Sequence, residues 1–160
     1  MADGAEVYVN GERYRRTTKN GQLILKNLSF QKAGAYTLKV TTPTGFNSGT
    51  SAAIQITPAT AKKLVIVQQP TPNPVAHRSV FSTEVELVDA FGNVATNNNS
   101  TVSLVLKSHP NGSTLSGVLS QQLVDGLADF TALSVDVAGK YSVAATDGKL
   151  KATSKPFVAT

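Results

Sequence analysis

Apolar and polar residues alternate along most of the second half of this chain. From Val80 to Val88, Phe81, Val85 and Leu87 fall on one side of an extended backbone, and Ser82, Glu84 and Glu86 fall on the other. Val102, Leu104 and Leu106 share a side between Thr101 and Lys107, and Tyr141, Val143 and Ala145 do so further on. A period of two with one apolar side is the pattern of a strand in a sheet covered on one face. Turn-forming residues separate the runs: Pro70 to Pro74, Phe91-Gly92-Asn93, Asn97 to Asn99, Pro110-Asn111-Gly112, Asp125-Gly126 and Asp147-Gly148. About seven short strands at this spacing predict a β-sandwich over roughly 59–160.

Part of the pattern occurs twice. Gly21 to Thr42 (GQLILKNLSFQKAGAYTLKVTT) parallels Gly126 to Asp147 (GLADFTALSVDVAGKYSVAATD). At a constant separation of 105 residues, Gly21 meets Gly126, Leu28 meets Leu133, Ser29 meets Ser134, Ala33 meets Ala138, Gly34 meets Gly139 and Tyr36 meets Tyr141. After a small deletion, Thr50-Ser51 matches Thr153-Ser154 and Thr57 matches Thr160. Two homologous modules, 1–58 and 59–160, are the simplest account. Ala52 to Thr57 predicts a closing strand and Lys63 to Gln68 an opening one. Pro58-Ala59-Thr60-Ala61 between them makes a short, stiff junction. The first module matches only the second half of the repeat, plus Ala5 to Thr18, where Asn10-Gly11 predicts a hairpin. Half a sandwich leaves an apolar face uncovered and has a marginal core. Residues 1–58 are therefore expected to be truncated, reduced, or completed by something upstream.

Composition agrees with this and removes several chemistries. The chain has 160 residues, of which 41% are hydrophobic and 16% charged, with no Trp and one Met. Thr, Ser, Val, Ala and Asn are abundant, and in that mix the β-branched Thr and Val favour strands while Ser and Asn favour turns. The absence of cysteine excludes disulfides, zinc ribbons, thiol nucleophiles and iron–sulfur sites. No run of 18 apolar residues is present, so no helical membrane span is expected. Met1 to Gly4 lacks the basic-then-apolar pattern of a signal peptide. If the protein is secreted, this stretch is an excised piece with Met1 as an added start. The net charge of +5 is concentrated in residues 1–58, which carry seven Lys/Arg against three acids.

Val85-Glu86-Leu87-Val88-Asp89-Ala90-Phe91-Gly92-Asn93-Val94 resembles the V-x-V-x-D-x-x-G-N-x-V segment of bacterial immunoglobulin-like repeats. Val124 to Phe130 and Ala138-Gly139-Lys140-Tyr141-Ser142-Val143 resemble the later G-x-A-x-F and A-G-x-Y-x-V segments. Repeats of this kind occur in invasin- and intimin-like adhesins and as spacers beside catalytic modules of secreted polysaccharide-degrading enzymes. The resemblance implies an all-β chain of tandem immunoglobulin-like sandwich modules, the first one partial, and it says little about function. It also makes sense of individual residues. Gly92 would take a positive φ at a strand-ending turn, and Asp89 or Asn93 would bond nearby amides. Tyr36 and Tyr141 fall where a tyrosine corner would sit, ring in the core and hydroxyl on the backbone.

No catalytic constellation emerges. His77 and His109 lie in Pro-containing loops, and no G-x-S-x-G elbow is present. Glu84 and Glu86 share the outward side of one strand, where a charged face that discourages edge pairing is the simpler reading. Asp89 and Asn93 are weak calcium candidates, with Asn97 to Asn99 and Asp136 as further oxygens, but the spacing matches no calcium loop. Lys39 could serve an isopeptide bond only if it faced inward, and alternation with Leu38 and Val40 points it outward. The segment Arg13-Tyr14-Arg15-Arg16-Thr17-Thr18-Lys19 is the one local oddity. Arg13, Tyr14, Arg15, Arg16 and Lys19 could grip an anionic polysaccharide or surface glycan. No nucleic-acid motif accompanies them, and a solvated hairpin is the plainer alternative. The sequons at Asn27, Asn98, Asn99 and Asn111 matter only in a secreting eukaryote.

The expectation is a non-catalytic structural or adhesive fragment of a large extracellular or cell-surface protein, acting as a monomeric stalk or spacer beside neighbouring repeats. It needs no cofactor. The alternative is an accessory module, spacer or weak glycan binder, of a secreted polysaccharide-degrading enzyme. For that role Tyr8, Tyr14 and Phe46 are the candidate sugar platforms.

Overall fold

The alternation between Phe81 and Val88 becomes a strand whose apolar side, with Thr83, is sealed from water. The computed structural model describes the backbone of Ala5–Val9 and Glu12–Arg16, and with side chains Leu25 and residues 28–41 and 49–160. The described residues are all-β and divide into two compact units, Met1–Thr57 and Pro58–Thr160.

In the second unit, β7 (Lys63–Thr71), β8 (Phe81–Val88), β10 (Leu115–Ser116) and β12 (Leu127–Val135) form one sheet in the order β10-β12-β8-β7. The other sheet has the order β11-β9-β13-β14, from β9 (Thr101–Ser108), β11 (Ser120–Gln122), β13 (Gly139–Asp147) and β14 (Leu150–Thr153), with β15 (Phe157–Ala159) also paired to β13. Val85, Leu87, Phe130 and Leu133 from the first sheet meet Val102, Leu104, Tyr141 and Val143 from the second in one core. Phe157 stacks on Tyr141 with ring centroids 5.6 Å apart and contacts Phe81 at 5.0 Å. This is the immunoglobulin-like sandwich anticipated above.

Two details depart from the simplest reading. Nine strands stand where about seven were expected, because β10 and β15 are short additions at the margins. The opening strand also runs past Pro70 to Thr71. As the outermost strand of its sheet, β7 can lack an amide there without breaking a ladder. A third detail rescues the alternation. Phe130 and Leu133 are three apart, so strict alternation would put them on opposite faces. The register shifts between them, with Ala132 at φ 55°, and both residues are fully buried.

β15 lies beside the segment that follows the entry strand β7. Val75 and Ala159 bridge in parallel, with Val75 N–H donating to the Val158 carbonyl (2.9 Å) and Thr160 N–H to the Val75 carbonyl (2.8 Å). His77 N–H donates to the Thr160 carbonyl at 2.7 Å.

The first unit contains β1 (Ala5–Val9), β2 (Glu12–Arg16), β3 (Gly34–Tyr36), β4 (Lys39–Thr41), β5 (Gly49–Thr50) and β6 (Ile54–Ile56). Its sheet order is β2-β1-β4-β5, with β3 paired to β6. Several pairings of the first unit run parallel to pairings of the second. Gly34 and Gly139 both take positive φ, 146° and 150°. Gly34 pairs with Ile56 and Tyr36 with Ile54, as Gly139 pairs with Ala159 and Tyr141 with Phe157. Lys39 faces Thr50 as Ala144 faces Thr153. Ser51 and Ser154 each accept, on the side-chain oxygen, the amide of Leu38 or Val143, at 2.9 and 3.0 Å. The Tyr36 hydroxyl donates to the Lys32 carbonyl at 2.8 Å, and the Tyr141 hydroxyl to the Val137 carbonyl at 2.5 Å, so both are tyrosine corners four residues long.

Tyr141 is 1% exposed. Truncation to Ala is expected to cost the second unit about 3–5 kcal/mol. Tyr141→Phe, which removes only the hydroxyl bond, is expected to cost about 1 kcal/mol. Urea unfolding followed by circular dichroism measures both. Gly139→Ala should be more damaging than Gly34→Ala in the same assay. Both positions have the strained φ, but an added Cβ at 139 would meet Pro110 Cγ at 2.4 Å, whereas at 34 the nearest atom is 3.9 Å away.

Candidate functional site

Three features of the described residues carry chemistry: a buried carboxylate at the end of β8, an acidic groove, and the basic hairpin strand β2.

The first is Asp89, which is 1% exposed. β8 ends there in a turn, with Gly92 at φ 77° as its glycine requires. The Asp89 carboxylate accepts four hydrogen bonds. Oδ1 takes the Phe91 amide (2.8 Å) and the Asn93 amide (2.9 Å). Oδ2 takes the Asn93 side-chain amide (2.8 Å) and the Ala59 amide (3.0 Å). A carboxylate offers about four lone-pair directions, and here all are used by protein donors. Asp89 and Asn93, the calcium candidates, thus bond each other and the backbone. Asp136 is engaged elsewhere, accepting the Thr114 amide (2.8 Å) and hydroxyl (2.7 Å). No group of three carboxylate or imidazole side chains converges among the described residues.

The second is the outward face of β8 and β12. Glu84 stands opposite Asp129 and Glu86 opposite Leu127, both pairs on the side away from the core. With Asp125, Gln121 and Val124, the last 71% exposed, Glu86 and Asp129 line an open groove of about 680 Å³. Its openness leaves its carboxylates in water, without the desolvation that a glycosidase acid requires. The histidines stand elsewhere and are held by their own surroundings: His77 Nδ1 lies 3.0 Å from the Thr160 carbonyl, and His109 Nδ1 lies 2.9 Å from that of Pro110. Lys39 is exposed on β4.

The third is the basic strand. Arg13, Tyr14, Arg15 and Arg16 lie on β2, in the hairpin with β1 that Asn10-Gly11 implied. Register places Arg15 opposite Glu6 and Arg13 opposite Tyr8. Lys19 and Phe46 lie outside the described residues. Of the described aromatic side chains, only Phe91 is exposed, at 49%. Sequence reading singled out Asp89 for its oxygens but missed its bond to Ala59, which joins residues 30 apart and leaves no local signal.

Asp89 makes a pH prediction. Burial alone would raise its pKa, but the bonds from the Asn93 side chain and from the Asn93, Ala59 and Phe91 amides outweigh it and hold the carboxyl well below its ordinary 3.8. A depressed native pKa stabilises the fold above the unfolded value and is lost as pH falls through and below it. Asp89→Asn should therefore be less stable than the parent at neutral pH, with the gap narrowing below about pH 4. Thermal unfolding across pH tests this, and a gap independent of pH would remove the charge from the account. With its lone pairs filled, Asp89 also predicts that millimolar calcium leaves the unfolding temperature unchanged.

No protein-family model matches the sequence, and no curated protein matches it. Solved structures do match in shape. A glycosyl hydrolase family 2 member from Bacteroides cellulosilyticus overlaps 99% of this chain at TM-score 0.54 and 14% identity. A beta-glycosidase from Bacteroides vulgatus overlaps 99% at TM-score 0.52 and 15% identity. Domains 4 and 5 of the S-layer protein SbsC overlap 80% at TM-score 0.46 and 15% identity, too loosely to argue from. The chain spans 22% and 21% of the two glycosidase chains. At such low identity the likeness shows the fold alone, an all-β architecture of the immunoglobulin-like sandwich kind.

Proposed function

We propose that this chain is a non-catalytic accessory region of a larger secreted polysaccharide-degrading enzyme, in which its sandwiches space and steady neighbouring domains. The observation that carries this reading is the overlap of nearly the whole chain with a fifth of two glycosidase chains. The chemistry supports it. Glu84, Glu86 and Asp129 lie on an open face, and Asp89 is consumed by structural bonds. The described aromatic rings are mostly committed to cores, which disfavours a stacking platform for neutral sugars. Any glycan contact would fall to the basic strand β2, whose Arg13, Arg15 and Arg16 suit an acidic polysaccharide.

The duplicated register favours a second reading, a stretch of tandem repeats in a surface stalk like those of invasin and intimin. Both readings place the protein outside the cell or on its surface. The parent reading frame separates them, since a catalytic domain beside this region supports the first and further repeats support the second.

The test is retention of the 160-residue chain on insoluble and soluble polysaccharides at low and high salt, alongside Arg13→Ala/Arg15→Ala/Arg16→Ala. Weak retention on acidic polysaccharide is expected, falling with salt and lost in the triple variant. Retention indifferent to salt and to the variant would discard the basic strand as the contact. Hydrolysis of aryl β-glycosides that disappears in Glu86→Gln would overturn the non-catalytic reading altogether.

A further inference from the structure

The two units share strands in a fixed correspondence that also identifies what the first unit lacks. Register maps β1 onto β9, β2 onto β11, β3 and β4 onto the two ends of β13, β5 onto β14 and β6 onto β15. Val7 opposite Val40 and Tyr14 thus holds the position of Leu104, which pairs with Ala145 and donates its amide to the Leu119 carbonyl at 2.8 Å. The whole β11-β9-β13-β14 sheet of the second unit therefore has its equivalent in the first. The opposing β12-β8-β7 sheet has none among the described residues.

The missing strands cannot be accommodated between those present. Arg16 and Leu28 stand 105 residues before Gln121 and Leu133, so the stretch joining them has the same length in both units and no room for an extra strand pair. Leu28 to Phe30, at the position where β12 ends, form no strand, as expected where the β8-like partner is missing. The cost is visible at individual side chains. Leu28 is 37% exposed, whereas its equivalent Leu133 is fully buried. Phe30 is half-buried against Tyr36, with ring centroids 4.5 Å apart, where Val135 is sealed. Leu25 is half-buried where Phe130 is sealed.

We propose that the uncovered face around Leu25, Leu28 and Phe30 is a docking surface for a β-hairpin patterned like β7–β8, supplied by polypeptide joined directly ahead of Ala5. The chain itself shows what completes such a face: β8 pairs with β12 and sets Phe81, Val85 and Leu87 beside the equivalent residues in one core. Continuity fixes the point of entry. In the second unit the hairpin leads through residues 89–100 into β9, and β9 corresponds to β1. The inference is independent of the enzymatic or surface origin of the chain.

The chain has no cysteine, so Leu28→Cys places a single thiol on the face. A second copy of residues 59–101 is fused ahead of Ala5 in place of 1–4, which keeps the register of the complete unit. Maleimide labelling of the thiol is expected to slow on the order of tenfold or more in the fusion relative to the parent Leu28→Cys chain. A control fusion carrying Val85→Asp and Leu87→Asp in the added copy should label at the parent rate. Protection in the intact fusion alone supports the proposal. Equal labelling in the parent chain and both fusions, or equal protection by both fusions, overturns it.

Discussion

A sheet with one apolar face is stable only when something covers that face, and every other feature of this protein follows from how that requirement is met. In the second unit two sheets cover one another. The alternation of β8 and β12 supplies one wall, that of β9 and β13 the other, and Phe157 closes the end against Tyr141 and Phe81. Burial of these apolar side chains is the main favourable term, set against a chain entropy of similar size. Among the described residues the first unit has the second wall only, and there Leu28 is exposed and Phe30 and Tyr36 are half-buried.

Polar groups do the aligning. Each tyrosine corner ties a ring, buried at Tyr141 and half-buried at Tyr36, to a carbonyl four residues upstream, so the chain turns into its strand at a fixed point. Ser51 and Ser154 then hold the returning strand in register from the other side. Asp89 gathers the Phe91 and Asn93 amides and the amide of Ala59. Among the described residues no buried side-chain polar atom lacks a partner.

Much of this was legible in the sequence because it is written locally. Period-two runs gave the strands, Asn-Gly the first hairpin, and the Gly34/Gly139 and Tyr36/Tyr141 matches the duplication. What escaped depends on distant partners. Phe130 and Leu133 reach the same core only through a bulge at Ala132, and a three-residue spacing carries no mark of that. The equivalence of β1 and β9 is hidden because two residues separate β1 from β2, whereas β9 and β11 are separated by a longer stretch that includes β10. Asp89 read as a turn residue, and its reach back to Ala59 appears only once β7 and β8 are folded together. The acidic groove joins β8, β12 and β11, three stretches that nothing in the sequence brings together.

The parallel bridge between Val75 and Ala159 has a consequence for force. When the two ends of the second unit are pulled apart, the segment after β7 is drawn one way and β15 the other, along their lengths. The bonds at Val75, His77 and Thr160 then lie across the direction of slip and share the load, where an antiparallel hairpin pulled from its open end would lose its bonds one at a time. Tension transmitted along a parent chain would meet a shear lock at this position, placed where the segment after the domain's first strand passes its last.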